Sequence, residues 1–259
     1  SEMCIRDRYK PRFSNSWDEY RNSIWHRVGY VNWGYEAIGR FQNWEQIANY
    51  PIDNDRKGNR TVVPGDIMYK DQNNDGVINY LDERPIGYRV DSTPTLNFGI
   101  NLSASWKGFD LAMDWTGSGM TSWNQCYETA RPFQNDGNSP DEVLKDAWHL
   151  SDIWDANSPL IPGKYPMIRL NTDETSAYDK SSYWLHNVTY LKLRNLEVGY
   201  TFPKTWLNKT GISNLRLFVS GTNLLTLSNL SVMDPECASD NGLDYPPMRV
   251  INIGVNLKF

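Results

Sequence analysis

The chain has 259 residues, of which 39% are hydrophobic and 13% aromatic, with a mean hydropathy of −0.62, a formal net charge of −5 and an isoelectric point near 5.3. No apolar run of ~18 residues exists to form a membrane-spanning helix, and no basic stripe marks a nucleic-acid partner. Three scattered cysteines, Cys4, Cys126 and Cys237, without a CxxC pair or a histidine cluster, indicate neither a zinc site nor a disulfide scaffold; they read as free thiols or as a single Cys126–Cys237 bridge in an oxidising compartment.

Residues 1–8 carry neither an initiator Met nor the apolar core of a signal peptide, and they read as a non-native scar on a fragment whose fold occupies 9–259. The first strand candidate is the irregular segment from Ile24 to Phe41. A long polar connection over about 42–93 follows, and within it lies a twelve-residue loop, Asp71 to Asp82. Oxygen ligands fall at its positions 1, 3, 5, 9 and 12 (Asp71, Asn73, Asp75, Asn79, Asp82), with the Val77 carbonyl at position 7, Gly76 at the sharp turn and Ile78 as the apolar eighth residue. A hard cation such as calcium takes that donor set, although Asp82 is a shorter arm than the glutamate usual at position 12. The plainer use of such a segment is a turn whose Asn and Asp side chains bind their own backbone.

Leu96, Phe98, Ile100 and Leu102 alternate with polar or small residues, and Phe109, Leu111, Met113 and Trp115 do the same after Lys107-Gly108. This predicts an antiparallel hairpin with a two-residue turn. A second long connection, about 120–183, holds a predicted short capped helix over 139–148 and large side chains suited to stacking on sugar faces or anchoring a partner: Trp123, Tyr127, Arg131, Trp148 and Trp154. From Tyr190 to Phe202, Leu191 and Leu193 share one parity while Leu196, Val198, Tyr200 and Phe202 share the other, predicting a bulge near Arg194-Asn195. Another period-2 strand spans 215–224, a third long connection spans about 228–247, and the chain closes on Val250 to Phe259. There Ile251, Ile253, Val255, Leu257 and Phe259 take one face and Asn252, Gly254, Asn256 and Lys258 the other.

Six strand candidates are thus joined by links that alternate short and long. Outer-membrane barrels share that asymmetry, and their polar lumen and loops accommodate a hydrophilic average composition. Eleven Trp and fifteen Tyr suit membrane interfaces, where one end of a ring is wet. The fold class expected is all-β: about six antiparallel strands from the C-terminal part of a transmembrane barrel, with long external loops. The pattern Asn252-x-Gly254-x-x-Leu257-x-Phe259 resembles the terminal signal by which the barrel assembly machinery recognises its clients.

Pro64-Gly65-Asp66-Ile67-Met68-Tyr69-Lys70-Asp71, the calcium-like loop after it and Ile86-Gly87 resemble the signature of the SusC/RagA family of TonB-dependent outer-membrane transporters of Bacteroidetes-type bacteria. Trp106 to Leu111, Tyr190 to Leu196, Val219 to Leu224, Asp234-Pro235-Glu236 and Tyr245-Pro246-Pro247 resemble later landmarks of that family in the same order, so the resemblance runs from about Gly29 to Phe259. It implies a 22-stranded barrel with a plugged lumen, a SusD-like surface lipoprotein as lid, energy from the TonB complex through a plug and TonB box N-terminal to this segment, and an oligosaccharide or peptide cargo. The rival is a secreted, calcium-stabilised β-sandwich that binds glycans. An enzyme is not expected: His26, His149 and His186 are isolated, and neither a Gly-x-Ser-x-Gly elbow nor a His-Glu-x-x-His helix occurs.

Overall fold

The structure, a computed structural model, describes residues 12–23, 31–89, 94–170, 174–208, 211–231, 233–236, 242 and 244–259. The 1–8 segment, His26, Cys4 and Cys237 lie outside the described residues, and with Cys237 so does the candidate Cys126–Cys237 bridge. In chain order the elements are α1 (Ser16–Asn22), β1 (Val31–Gly34), β2 (Ala37–Arg40), α2 (Trp44–Ala48), β3 (Ile67–Tyr69), β4 (Arg84–Arg89), β5 (Leu96–Trp106), β6 (Phe109–Asn124), α3 (Asp141–Lys145), β7 (His149–Leu150), β8 (Leu160–Ile161), β9 (Leu185–Thr201), α4 (Lys204–Leu207), β10 (Asn214–Ser228) and β11 (Val250–Lys258).

Five long strands form one antiparallel sheet in the order β11-β10-β9-β6-β5. Its hairpin turn places Lys107 and Gly108 at φ of 47° and 92°, the left-handed pair that a two-residue turn between twisted strands needs. The predicted bulge is present: Asp114 pairs with Asn195 but Trp115 pairs with Leu193, so Arg194 is the extra residue. That insertion reconciles the two parities of the segment, because Leu193 and Leu196 then face the same side. Register carries this side across the whole sheet, from Ile100 and Trp115 to Val198, Val219 and Ile253. The side is apolar, and it stands open. Phe98, Ile100, Val198, Leu217, Val255 and Leu257 are all exposed, and Ile253 reaches 83%. Among the described residues no second sheet packs over it, which does not favour the β-sandwich.

The opposite face carries Asp110, Asp114, Thr116, Lys192, Glu197, Arg216 and Ser220. Gly254 belongs here for a steric reason. A side chain at 254 would run into the ring of Phe218, its cross-strand partner.

The sixth strand candidate differs from expectation. Within the described residues, 31–41 splits into β1 and β2, which pair with β4 and β3 rather than joining the large sheet. Its side chains do not alternate by polarity: Asn32 is buried and Ile38 exposed, so it has no continuous apolar side to give a bilayer.

The long connections are folded, too. Parts of 42–93 and 120–183 close around one core of Tyr35, Ile67, Tyr69, Ile78, Val143, Tyr165, Ala177 and Trp184. Polar bonds lock the two together: Asn54 Nδ2 donates to the Ile67 carbonyl (3.0 Å) and to Ser176 Oγ (3.2 Å), Tyr69 OH donates to the Ser176 carbonyl (2.6 Å), and Trp184 Nε1 donates to the Ala177 carbonyl (2.8 Å). Buried Asp66 pairs with Arg169 at 2.5 Å, while Arg40 donates to the carbonyls of Gly65, Gly163 and Lys164. The helix expected over 139–148 is shorter, Asp141–Lys145, and its N-cap is Pro140 with no side-chain bond, so Ser139 does not cap it. Its buried Val143 holds it to the loop core.

Candidate functional site

In the 71–82 loop, the carboxylates of Asp71, Asp75 and Asp82 converge to within 4.8 Å of one another. Gly76 takes φ of 83°, and Asp82 is fully buried. The loop is also closed by its own hydrogen bonds. Asp71 accepts from the Asn74 and Gly76 amides, Asp82 from those of Gln72 and Asn79, Asn73 Oδ1 from that of Asp75, and Asn79 Oδ1 from that of Leu81. The Val77 amide, with Asn73 and Asn79, holds the Asp75 carboxyl below its ordinary range. Ile78 is sealed in the loop core and its amide donates to the Asp53 carbonyl at 2.9 Å, which docks the loop on the strand-like backbone at Asp53. Among the described residues no cation lies within ion-pair distance of the three carboxylates. Three like charges, one of them buried, are the donor set that a hard cation satisfies.

The loop side chains do not gather into one surface. Trp123 is buried against Val188 and Leu230 and stacks on His186 at 5.7 Å. Trp148 is buried beneath the Arg40 guanidinium, 5.4 Å from its ring centroid. Both are buried within the fold, at 3% and 4% exposure, which corrects their reading as open stacking faces. Arg131 is half-buried with its guanidinium 5.8 Å from the Tyr178 ring. Tyr127 is exposed, and Trp154 is 90% exposed at the tip between β7 and β8. That tip is ordered by its own turns, with Asp152 Oδ1 accepting from the Trp154 amide at 2.9 Å and Ser158 Oγ donating to the Asp152 carbonyl. Beside it a recess of about 490 Å³ is lined by Leu144, Trp148, His149, Ile153, Met167 and Ile168.

Two ion networks on the polar face of the sheet escaped the sequence reading. Arg216 bridges Asp110 on β6 and Glu197 on β9. Lys192, only 1% exposed, donates to Asp234 (2.7 and 2.8 Å) and to Glu236 (2.8 Å), and Glu236 also meets Arg194. The segment after β10 therefore folds back along the polar face instead of running outward. Leu230 anchors its start against Trp123 and Val188, and Asn229 exchanges bonds with Asn187 and Thr189. The available signals were the parity of Lys192 among polar residues and the acids flanking Pro235, both too local to reveal each other across 42 positions.

Asn252, Gly254, Leu257 and Phe259 lie on or just past β11, at an edge of the sheet, with Phe259 exposed. No helix among the described residues is long and apolar enough to cross a membrane.

Compared with known proteins, the chain is 30% identical over 243 residues to a TonB-dependent receptor of Formosa agariphila, covering 86% of this chain and 22% of that protein. It is 24% identical over 252 residues to the TonB-dependent receptor SusC of Bacteroides thetaiotaomicron, covering 90% and 20%. Its fold matches solved structures of the RagAB peptide importer: the closed-closed state with a TM-score of 0.58 at 20% identity (88% of this chain, 23% of that one), and the open-open state with 0.56 at 22% identity (90% and 23%). No family model matches the chain. The chain spans about a fifth of the length of the curated relatives it matches. The resemblance to SusC/RagA-type TonB-dependent receptors holds across most of this chain, and the fold is that of a segment of such a barrel.

Proposed function

We propose that this chain is the C-terminal wall and loop cap of a TonB-dependent importer in the bacterial outer membrane. One observation carries the reading: a five-stranded sheet with one face apolar and open and the other lined by paired charges. Lipid on the first side and a polar lumen on the second satisfy both at once. The whole protein would pass cargo under a SusD-like lipoprotein lid, with energy delivered by the TonB complex to parts N-terminal to this segment. Oligosaccharide is the favoured cargo, because glycan importers are frequent in the family this chain resembles; peptide is the variation, and the RagAB structures are titled as peptide importers.

Of the loop side chains, Tyr127, Arg131 and Trp154 remain candidates for contact with the lid or cargo, and the exposed tip at Trp154 is the best placed. A calcium ion held by Asp71, Asn73, Asp75, Asn79, Asp82 and the Val77 carbonyl would neutralise the crowded carboxylates and stiffen the loop cap. Removing Phe259 from the full-length protein should lower its outer-membrane level sharply; an unchanged level counts against the barrel. Detergent extraction should bring down a lipoprotein partner, and uptake of labelled oligosaccharides against peptides decides the cargo. An Asp75→Ala variant should lose bound calcium measured by elemental analysis, and equal metal content in both proteins removes the ion.

A further inference from the structure

The two ends of the sheet differ in charge. Residues 125–185, in the loop cap, hold ten acids against five basic residues, whereas no Asp or Glu occurs in 92–109 or in 198–233. These acid-free stretches contain both short turns. Of the four cations within them, Arg216 faces the polar side and is spent on Asp110 and Glu197, Lys107 and Lys204 sit exposed at the turns, and Lys209 lies outside the described residues.

The turn end is also where the aromatic rings join up. Phe109 meets Tyr200 at 4.6 Å between centroids, Tyr200 meets Phe202 at 5.1 Å, and Phe202 meets Trp206 at 6.1 Å. Trp106 and Trp206 are 70% and 67% exposed, and the Lys107 ammonium stands 4.8 Å from the Trp106 ring centroid. The Thr201 amide donates to the Gly108 carbonyl at 2.7 Å, which sets the first turn beside the Phe202-Pro203-Lys204 corner. Lys107 holds its place at a φ of 47°, where Asn or Gly would carry less backbone strain, so the turn alone does not call for a lysine.

We infer that this belt is a binding surface for anionic phospholipid headgroups, with Lys107 and Lys204 receiving the phosphate and the indoles of Trp106 and Trp206 lying at the level of the acyl esters. The inference rests on the barrel reading above. An ammonium and an indole side by side match the layered chemistry of that interface, one group for the charged head and one for the half-wet boundary beneath it. A zwitterionic head supplies the same phosphate but adds a positive charge, which Lys107 and Lys204 repel, the nearest acid, Asp110, being paired with Arg216.

The test uses the full-length protein in nanodiscs of phosphatidylcholine with and without phosphatidylglycerol, with the lipids retained on release into detergent read by native mass spectrometry. The wild type should retain phosphatidylglycerol over phosphatidylcholine on the order of fivefold for each lysine. A Lys107→Gln/Lys204→Gln protein should lose most of that preference, and Lys107→Arg/Lys204→Arg should keep it, which separates lost charge from lost folding. Equal retention of both lipids by the wild type, or an unchanged preference in the Gln variant, overturns the inference while leaving the barrel intact. Displacement of phosphatidylglycerol by excess glycerol phosphate also overturns it, since the site would then read free phosphate. A wild type that enters neither bilayer overturns the importer reading and this inference together.

Discussion

In the sheet, Leu217, Val219 and Ile253 stand open on one face while Lys192 is shut away on the other; in the loop cap, Tyr69, Ile78 and Trp184 are sealed, and Lys145 with Asp141 lies outside. One chain thus obeys two burial rules. The cap folds as a water-soluble domain does, removing apolar area from solvent into a closed core. In the proposed barrel the sheet leaves its apolar side for a solvent that is itself apolar, so polarity belongs inside and each inward charge needs a partner. A hydrophilic mean hydropathy is the average of these two rules and describes neither region.

The sharpest way to break the comparison is to damage one region and watch the other. Trp184 is fully buried, bonded to the Ala177 carbonyl and packed against Tyr165, Tyr178 and Tyr183. Trp184→Ala should destabilise the cap by about 3–5 kcal/mol. External protease should then cut the 120–183 region in intact cells while the sheet remains inserted. Loss of the whole protein from the membrane would mean that cap and sheet fold as one unit.

The complementary change belongs on the open face. Val219 pairs with Val198 and Ile253 in mid-sheet, and its neighbour Ser220 points to the polar side. Val219→Arg should cost about 2–4 kcal/mol near the bilayer midplane, against little for Ser220→Arg, read as the urea midpoint of the protein refolded into lipid. In a water-facing sheet the exposed Val219 would tolerate arginine equally well, so equal midpoints would sink the assignment of faces.

The sheet was legible in the sequence because its pattern is local. Alternation at 96–115 and 250–259, the turn at Lys107-Gly108 and the phase change at Arg194 each lie within one strand or hairpin, and the structure repeats them. The cap was not legible, because its core is assembled from residues far apart, such as Ile67 with Ala177, and from short pieces with no steady period. The same limit explains Trp123 and Trp148. An indole in a polar loop looks available until a distant Leu230 or Arg40 covers it. The calcium-like loop is the intermediate case: its spacing was readable and its carboxylates do converge, but the docking of Ile78 beside Asp53 was not.

A smaller effect is expected at the join between the two regions. Lys192→Met removes the charge that draws Asp234 and Glu236 to the polar face, at a cost of about 1.5–3 kcal/mol for hydrogen bonds to charged groups. The consequence should be local release of 229–236. A cysteine placed at Met233 should react several-fold faster with a membrane-impermeant maleimide in the Lys192→Met background, and equal rates would mean that the contacts of Leu230, Asn229 and Arg194 hold the segment without Lys192.

The smallest effect separates carboxylates inside the cap by the sign of their response to acid. Burial raises the Asp66 and Asp179 carboxyls, with Arg169 and Arg56 opposing it. A raised folded value means that the folded cap holds these protons more tightly than the unfolded chain. Their stabilising contribution is therefore complete below the ordinary carboxylate range and is lost as pH rises through the raised values. Asp55 behaves oppositely. Burial pushes it up, but the Thr61 amide and hydroxyl with the Lys57 and Asn59 amides outweigh that and hold it low. Its contribution is present above the ordinary range and disappears as pH falls through the lowered value. Asp55→Asn should cost about 1 kcal/mol at neutral pH and flatten the acid limb of the cap's melting temperature against pH, whereas Asp66→Asn should flatten the limb above the ordinary carboxylate range. Profiles for both variants that match the wild type would show that neither carboxyl couples to the folding of the cap.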